Sequence, residues 1–478
     1  MTATQTGVQT LDHRDLESLL SEPSPGAVGR SVERKDARDK VLGRARYTDD
    51  LTPRDALVIK IAHSAIAHGF VTAVDTSIAE AIPGVVKVLT CFDVPERPFP
   101  TAGHPWSTDP SHQDVADRLL LNRHVRYVGD DVAVVVAETE LAAQLGVAAL
   151  DISYEELPFA LSTDAALAEG AAPLHEASPG NVLAHTTLKV GDYAAAIQEP
   201  GLIKVEGVYD TGTVQHAHLE NHVCFAQAEG ERITVTSSTQ IPQIVRRVVG
   251  QALGVGWGKI RIVKPYIGGG FGNKQDVLYE PLCAWVCTQL GGRTVKLDVS
   301  REETFVSNRV RHAEKIHIVS WLRPDGTFAA RKYEAWSDQG SYASHGHSIA
   351  AKGMNCFHEF YQCANVEGDA WTVYTNKPAA GAMRGYGIPQ AMWAGESHID
   401  DICTQLGYDP LEFRLRNIME AGHVNAFQKN ENYDDSLRAT LIKGAEYLGY
   451  DRLRAACDAQ DPDARVRRGV GVAAFWYN

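Results

Sequence analysis

"PYIGGGFGNKQD", residues 265–276, packs four glycines into five positions and follows them with Asn-Lys-Gln-Asp. Upstream, "KIRIVKPYI" has the β-branched make-up of a strand. Downstream, Leu278, Leu282, Trp285 and Val286 fall on one face of a helix that Gly291-Gly292 would end. A side-chain-poor turn between strand and helix offers backbone N–H groups, a cradle for anionic or oxygen-rich groups. The spacing is not G-x-G-x-x-G, because position 273 is Asn, and no G-K-[ST] follows. On this loop alone, a purely steric turn explains the glycines equally well.

A second stretch, "TNKPAAGAMRGYGIPQAMWAGESHIDDI" (375–402), repeats the theme: small residues surround one cation, Arg384, and one aromatic, Tyr386, just before a helix. Two such bends together read as facing walls of a cofactor or substrate pocket.

The rest of the chain sets bounds. Its 478 residues carry 44% hydrophobic and 22% charged residues, the make-up of a water-soluble globular protein with two or three domains. A formal charge of -14 argues against nucleic acid as partner. No apolar run reaches membrane-spanning length, and the first residues have neither a basic start nor an apolar segment, so the expected location is the cytoplasm. The eight cysteines show no iron–sulfur spacing, and Cys283 and Cys287 read as buried neutral thiols. "SWLRPDGTFAARKYEAW" (320–336) is a hairpin signature, and "DPLEFRLRN" (409–417) has Asp409 as helix N-cap, Pro410 behind it and Glu412 to close a capping box. The H-x-H pairs His216/His218 and His345/His347 suit a metal, but no third ligand follows at a telling spacing, so they read as polar positions near a site mouth.

The two glycine-rich stretches resemble the G-G-G-F-G and R-G-[FY]-G-x-P-Q motifs of the xanthine oxidase family of molybdenum hydroxylases. "GSYASHGHSIA" (340–350) agrees, and "RKDARDKVLGRARYTDD" (34–50), "YVGDDVAVVVAET" (127–139) and "ISYEELP" (152–158) are similar to that family's hammerhead domain. The resemblance runs over about residues 31–478 and is strongest to the molybdenum-binding subunit of bacterial xanthine dehydrogenases. It implies an α+β fold. A polar arm (1–30) precedes a hammerhead domain (31–165) and a first molybdopterin-binding domain (166–455), and 456–478 would open a second one with a strand.

The resemblance also implies a molybdopterin, in a plain or cytosine dinucleotide form, and hydroxylation of a purine or related N-heterocycle with water as oxygen source. Phe271 and Gly272, with Gly270 beside them, would lie against the molybdenum centre, and Gln240 would approach an oxygen on the metal. Arg384 would face its oxygen ligands through backbone N–H, Ala382 would line the substrate side, and Tyr386 would stack on the heterocycle. Gln275 and Lys352 fall where xanthine-oxidising relatives carry a Glu and an Arg that contact substrate, which brings nicotinate, other heterocycles or aldehydes into play. The general-base Glu and the later pterin-binding segment have no counterpart in this sequence. The expectation is therefore a partner subunit completing the molybdenum domain, plus iron–sulfur and FAD subunits. A non-catalytic scaffold is the contrasting reading.

Overall fold

The structure is a computed structural model. It describes residues 30–104, 107–109, 113–424, 431–432, 434–461 and 463–477; the expected N-terminal arm lies almost wholly outside them. Residues up to Tyr47 form a separate compact unit with a short helix at Ala37–Val41, where Asp36 accepts from Lys40 at 2.7 Å.

The larger unit is built on two sheets. The first has seven strands: β1 (Leu57–His63), β2 (Val85–Thr90), β3 (Asp131–Ala137), β6 (Val223–Glu229), β7 (Arg232–Ser237), β8 (Ile260–Val263) and β9 (Val295–Asp298), in the order β8-β7-β6-β9-β1-β3-β2. The second has five: β4 (Val182–Val190), β5 (Ile203–Thr211), β10 (Glu314–Leu322), β11 (Phe328–Gly340) and β12 (Val366–Tyr374), in the order β4-β12-β11-β10-β5. A small three-stranded sheet centred on Gly69–Asp75 completes the N-terminal region. The α+β class therefore holds.

The first sheet does not respect a boundary at 165. β1 pairs in parallel with β9, Leu57 opposite Val295, and antiparallel with β3. All seven residues of β3 are buried, because helix α1 (Glu140–Ala148) covers one face and the main core the other. On that main-core side, α2 (Pro242–Leu253) and α3 (Glu280–Gln289) cover β6 to β9. The opposite face of β6, β7 and β8 carries Gln227, Thr234 and Arg261 and is open. Helices α4 (Gly346–Phe360) and α5 (Ile388–Leu406) pack on each other and on the second sheet.

Several local expectations change. β8 ends at Val263, well before the glycines, and the helix after them begins only at Glu280, behind a single 3₁₀ turn at Asn273–Gln275. Leu278 is buried but precedes α3, and Leu282 to Cys287 are all buried, so α3 is enclosed on every side rather than amphipathic. The hairpin forms as read, β10 antiparallel to β11 with Gly326 at φ +81. At the helix Pro410–Asn417, the Asp409 carboxylate caps Leu411 and Glu412 N–H; the reciprocal capping box closes instead at Ser300 and Glu303. Residues 466–477 make no strand. A strand needs a neighbour for its N–H and C=O groups, and here Ala474 N–H goes to Glu396 Oε2 (2.8 Å) while Phe475 is 71% exposed.

Candidate active site

The loop 268–276 is held from below. Glu220 Oε2 accepts from Gly268 N–H at 2.9 Å and from the buried Lys274 ammonium at 2.6 Å. Asn273 Nδ2 lies 3.2 Å from His218 Nε2, and His218 Nδ1 meets Glu220 C=O at 2.6 Å. Burial, with Lys274 adding to it, holds His218 at about 4. Burial also lowers His216 and takes His222 well below the usual range. A layer of neutral imidazoles thus underlies the glycines.

The sequence asks what approaches the glycines so closely, and the first answer is the protein itself. A methyl group on Gly268 would stand 2.5 Å from Glu220 Cβ, and one on Gly272 would stand 2.5 Å from Ala382 C=O. Gly272 also has φ +107, a region costly for any residue with a Cβ. The two glycine-rich bends meet here: Arg384 N–H donates to Phe271 C=O at 2.8 Å, and Ala382 C=O accepts from His216 Nε2 at 2.8 Å. The Arg384 N–H expected to face a metal ligand is therefore committed to the loop contact. Ala382 is buried, its carbonyl engaged, rather than lining an open face. Both serve to knit the bends together.

What the junction presents outward is specific. Gln240 Oε1 accepts from Gly272 N–H at 3.1 Å; a backbone N–H can only donate, so the amide oxygen faces it and the –NH2 is left as donor. Phe271 has a left-handed backbone, φ +53, and is 49% exposed as a residue. The Arg384 side chain is exposed. Two bonds thus join residues that carry an amide donor, an aromatic ring and a guanidinium, and the two donors suit an oxygen-rich, anionic group.

On the adjoining side, Tyr386 (φ +48) has its hydroxyl fixed by Ser348 Oγ at 2.8 Å and His345 Nδ1 at 3.0 Å. Ser348 and Lys352, four apart on α4, share a helix face, which brings Lys352 toward Tyr386. Its ammonium lies 5.7 Å from the Tyr477 ring centre. Gln275 joins through its carbonyl, 3.5 Å from His345 Nε2. His345 is anchored by Gly103 N–H (3.0 Å) and Asp276 (3.3 Å). Against the penalty of burial, Arg309 holds the Asp276 carboxyl far below the ordinary range.

The H-x-H pairs divide. His216 and His218 bridge loops. His345 orients Tyr386, while His347 joins His104 and Asp114, their ligand-type atoms within 4.8 Å of one another. Asp114 is already met by His104 at 2.5 Å and Arg247 at 3.4 Å, so it has the positive charge a cation would bring. Sequence reading missed the roles of Lys274, Asp276, Arg309 and His104, each of which has a partner 33 or more residues away in Glu220, Arg309, Asp276 and His345.

Residues 174–418 match the molybdopterin cofactor-binding domain family, and residues 42–158 match the a/b hammerhead domain of aldehyde oxidase and xanthine dehydrogenase. The chain belongs to this molybdopterin-binding family. It is 46% identical over 93% of its length to the putative xanthine dehydrogenase molybdenum-binding subunit of Escherichia coli, and spans 58% of that relative. It is 30% identical to the nicotinate dehydrogenase large molybdopterin subunit of Eubacterium barkeri, over 89% of this chain and 98% of that one. Among solved structures it is similar to the aldehyde oxidoreductase of Desulfovibrio desulfuricans (TM-score 0.83, 26% identity, 91% of this chain and 48% of that one) and to quinoline 2-oxidoreductase of Pseudomonas putida (TM-score 0.82, 27% identity, 91% and 56%). By name, the first two are a molybdenum-binding and a molybdopterin subunit of dehydrogenases, and the two solved structures are oxidoreductases.

Proposed function

We propose that this chain forms the front wall of a molybdenum hydroxylase site acting on purines or related N-heterocycles. The observation that carries the reading is the junction of the bends, where Arg384 N–H meets Phe271 C=O and Gly272 N–H meets Gln240 Oε1, so that residues bearing a guanidinium, an aromatic ring and an amide adjoin. When bound, a molybdopterin supplies oxygen transfer to an electron-poor carbon and takes up the electrons. Around it, Gln240 –NH2 donates to an oxygen without adding charge, Phe271 keeps water from one side, and Arg384 supplies positive charge at the mouth. Tyr386, its hydroxyl tied back, offers a ring face to a planar substrate, and Gln275 and Lys352 orient the substrate's polar edge. The general base and the remaining pterin contacts come from outside these 478 residues.

All eight cysteines are free thiols, and none joins a metal-type group among the described residues. On this reading electrons leave through iron–sulfur and flavin centres of partner subunits, and reduced thiols suit a cytoplasmic setting. No helix of the described residues is long and apolar enough to cross a membrane.

One observation favours nicotinate as second reading: Lys352 offers a point charge suited to a carboxylate, without the fork of an Arg. The test is molybdenum per chain in the purified native complex, followed by turnover of xanthine, hypoxanthine, nicotinate, quinoline and benzaldehyde. Stoichiometric molybdenum with purine turnover is expected. Nicotinate turnover alone selects the second reading, and a complex without molybdenum removes both in favour of a scaffold.

A further inference from the structure

The open face of the first sheet carries charge that the chain does not answer. Arg232 on β7, Arg261 on β8 and Arg293 before β9 line a groove of about 1080 Å³ together with Thr234, Thr236 and Gln227. A neighbouring hollow shares Arg232 and Arg261 and adds Arg246 of α2 and Lys264. All five cations are exposed. Lys259 close by is neutralised by Glu231 at 3.0 Å, yet these five meet no carboxylate within ion-pair distance among the described residues. Asp55 and Glu229, the acids in the groove lining, pair with none of them. In a chain of net charge -14, such a cluster is out of character.

We propose that this face docks an acid-rich surface of a partner protein, and that the partner is the electron-accepting chain which the proposed function requires; this rests on that reading. Thr234, Thr236 and Gln227 stand among the cations, with Phe225 buried and Val263 half-buried beside them, so the solvent-facing part of the groove is mainly polar. With every cationic head in solvent, it is not an enclosed small-anion pocket. At physiological salt, charge is felt over roughly 8 Å, so a partner meeting this patch senses the five cations more than the distant net charge. Complementary charge of this kind speeds encounter and fixes orientation.

The test uses the native complex, wild type beside the triple variant Arg232→Glu/Arg261→Glu/Arg293→Glu and the triple Lys variant. Subunit content by light scattering at 50 and 500 mM salt, molybdenum per chain and melting temperature are measured together. The charge-reversed variant is expected to bind the iron–sulfur partner roughly 100-fold more weakly at 50 mM salt, with molybdenum and melting unchanged. The Lys variant is expected to keep the partner, and the wild-type complex to loosen at 500 mM. Full subunit content in the reversed variant at both salts overturns the proposal, as does partner loss accompanied by molybdenum loss. Retention on heparin that the reversal abolishes, with subunit content unchanged, overturns it in favour of a nucleic-acid-like polyanion. A wild-type complex with no molybdenum but salt-dependent partner binding would defeat the proposed function and leave this docking face standing.

Discussion

Histidines at two places in this molecule are held in opposite charge states. At the end of β1, His63 Nδ1 lies 3.1 Å from Asp131 and its Nε2 3.5 Å from Glu303, while Arg118 pairs with the same Asp131. Burial opposes the charge on His63, but the two carboxylates overcome it and raise the imidazole to about 9. Beneath the glycine loop, His216, His218 and His222 are buried beside Lys274 and have no carboxylate of their own, so all three are held down. The same side chain thus serves as a charged strut in one region and as neutral hydrogen-bonding filler in the other. What decides is the nearest charge, since burial acts in the same direction on both.

The sharpest way to break the contrast is Lys274→Met. It leaves Glu220 largely buried without its cation, at a cost of about 3–5 kcal/mol by denaturant unfolding, and lets His218 titrate higher. Unchanged stability would show that the loop does not need its ion pair. Next in size is Gly272→Ala, which forces a methyl into Ala382 C=O and strains φ; a loss of about 3 kcal/mol, with the two bends parted and molybdenum content reduced, is expected. Gln240→Glu keeps an acceptor for Gly272 N–H but replaces the amide donor with negative charge. Turnover should fall about 100-fold while melting hardly moves, and a large loss of stability instead would mark Gln240 as structural only.

The smallest effect is in pH. His63, raised when folded, stabilises fully below the unfolded value near 6.5, and that contribution fades as pH climbs through about 9. His218, lowered when folded, acts in the other direction: the unfolded chain takes up its proton first, so stability falls as pH drops from about 6.5 toward 4. Each limb is expected to be about 2 kcal/mol in unfolding free energy measured across pH 4–9. His63→Gln should flatten only the alkaline limb, and His218→Gln only the acid one.

Much of the site could be read before the fold was seen. The glycines with Phe271, and Arg384 with Tyr386, stand in two contiguous motifs, so each bend by itself follows from short-range sequence. Their duties were less legible. In sequence terms the N–H of Arg384 faces an oxygen ligand and Ala382 lines the substrate side; in the structure that N–H donates to Phe271 C=O and the Ala382 carbonyl accepts from His216 Nε2. The "QHAHLEN" stretch pointed to polar chemistry but not to its use, because His216 acts on a carbonyl 166 residues away. The division at 165 follows from the family resemblance, and β1 and β9 pair across it through their backbones, which leaves no mark in side-chain pattern.

Taken alone, the sequence determined the class of the protein and the residues of its two bends, since side-chain-poor turns and their neighbours are written in consecutive letters. Tertiary structure alone decided which backbone groups remain free, which imidazoles stay neutral and which sheet face keeps its unpaired arginines. Those outcomes depend on distances between residues far apart in the chain, where burial and a single nearby charge shift the balance by several kcal/mol.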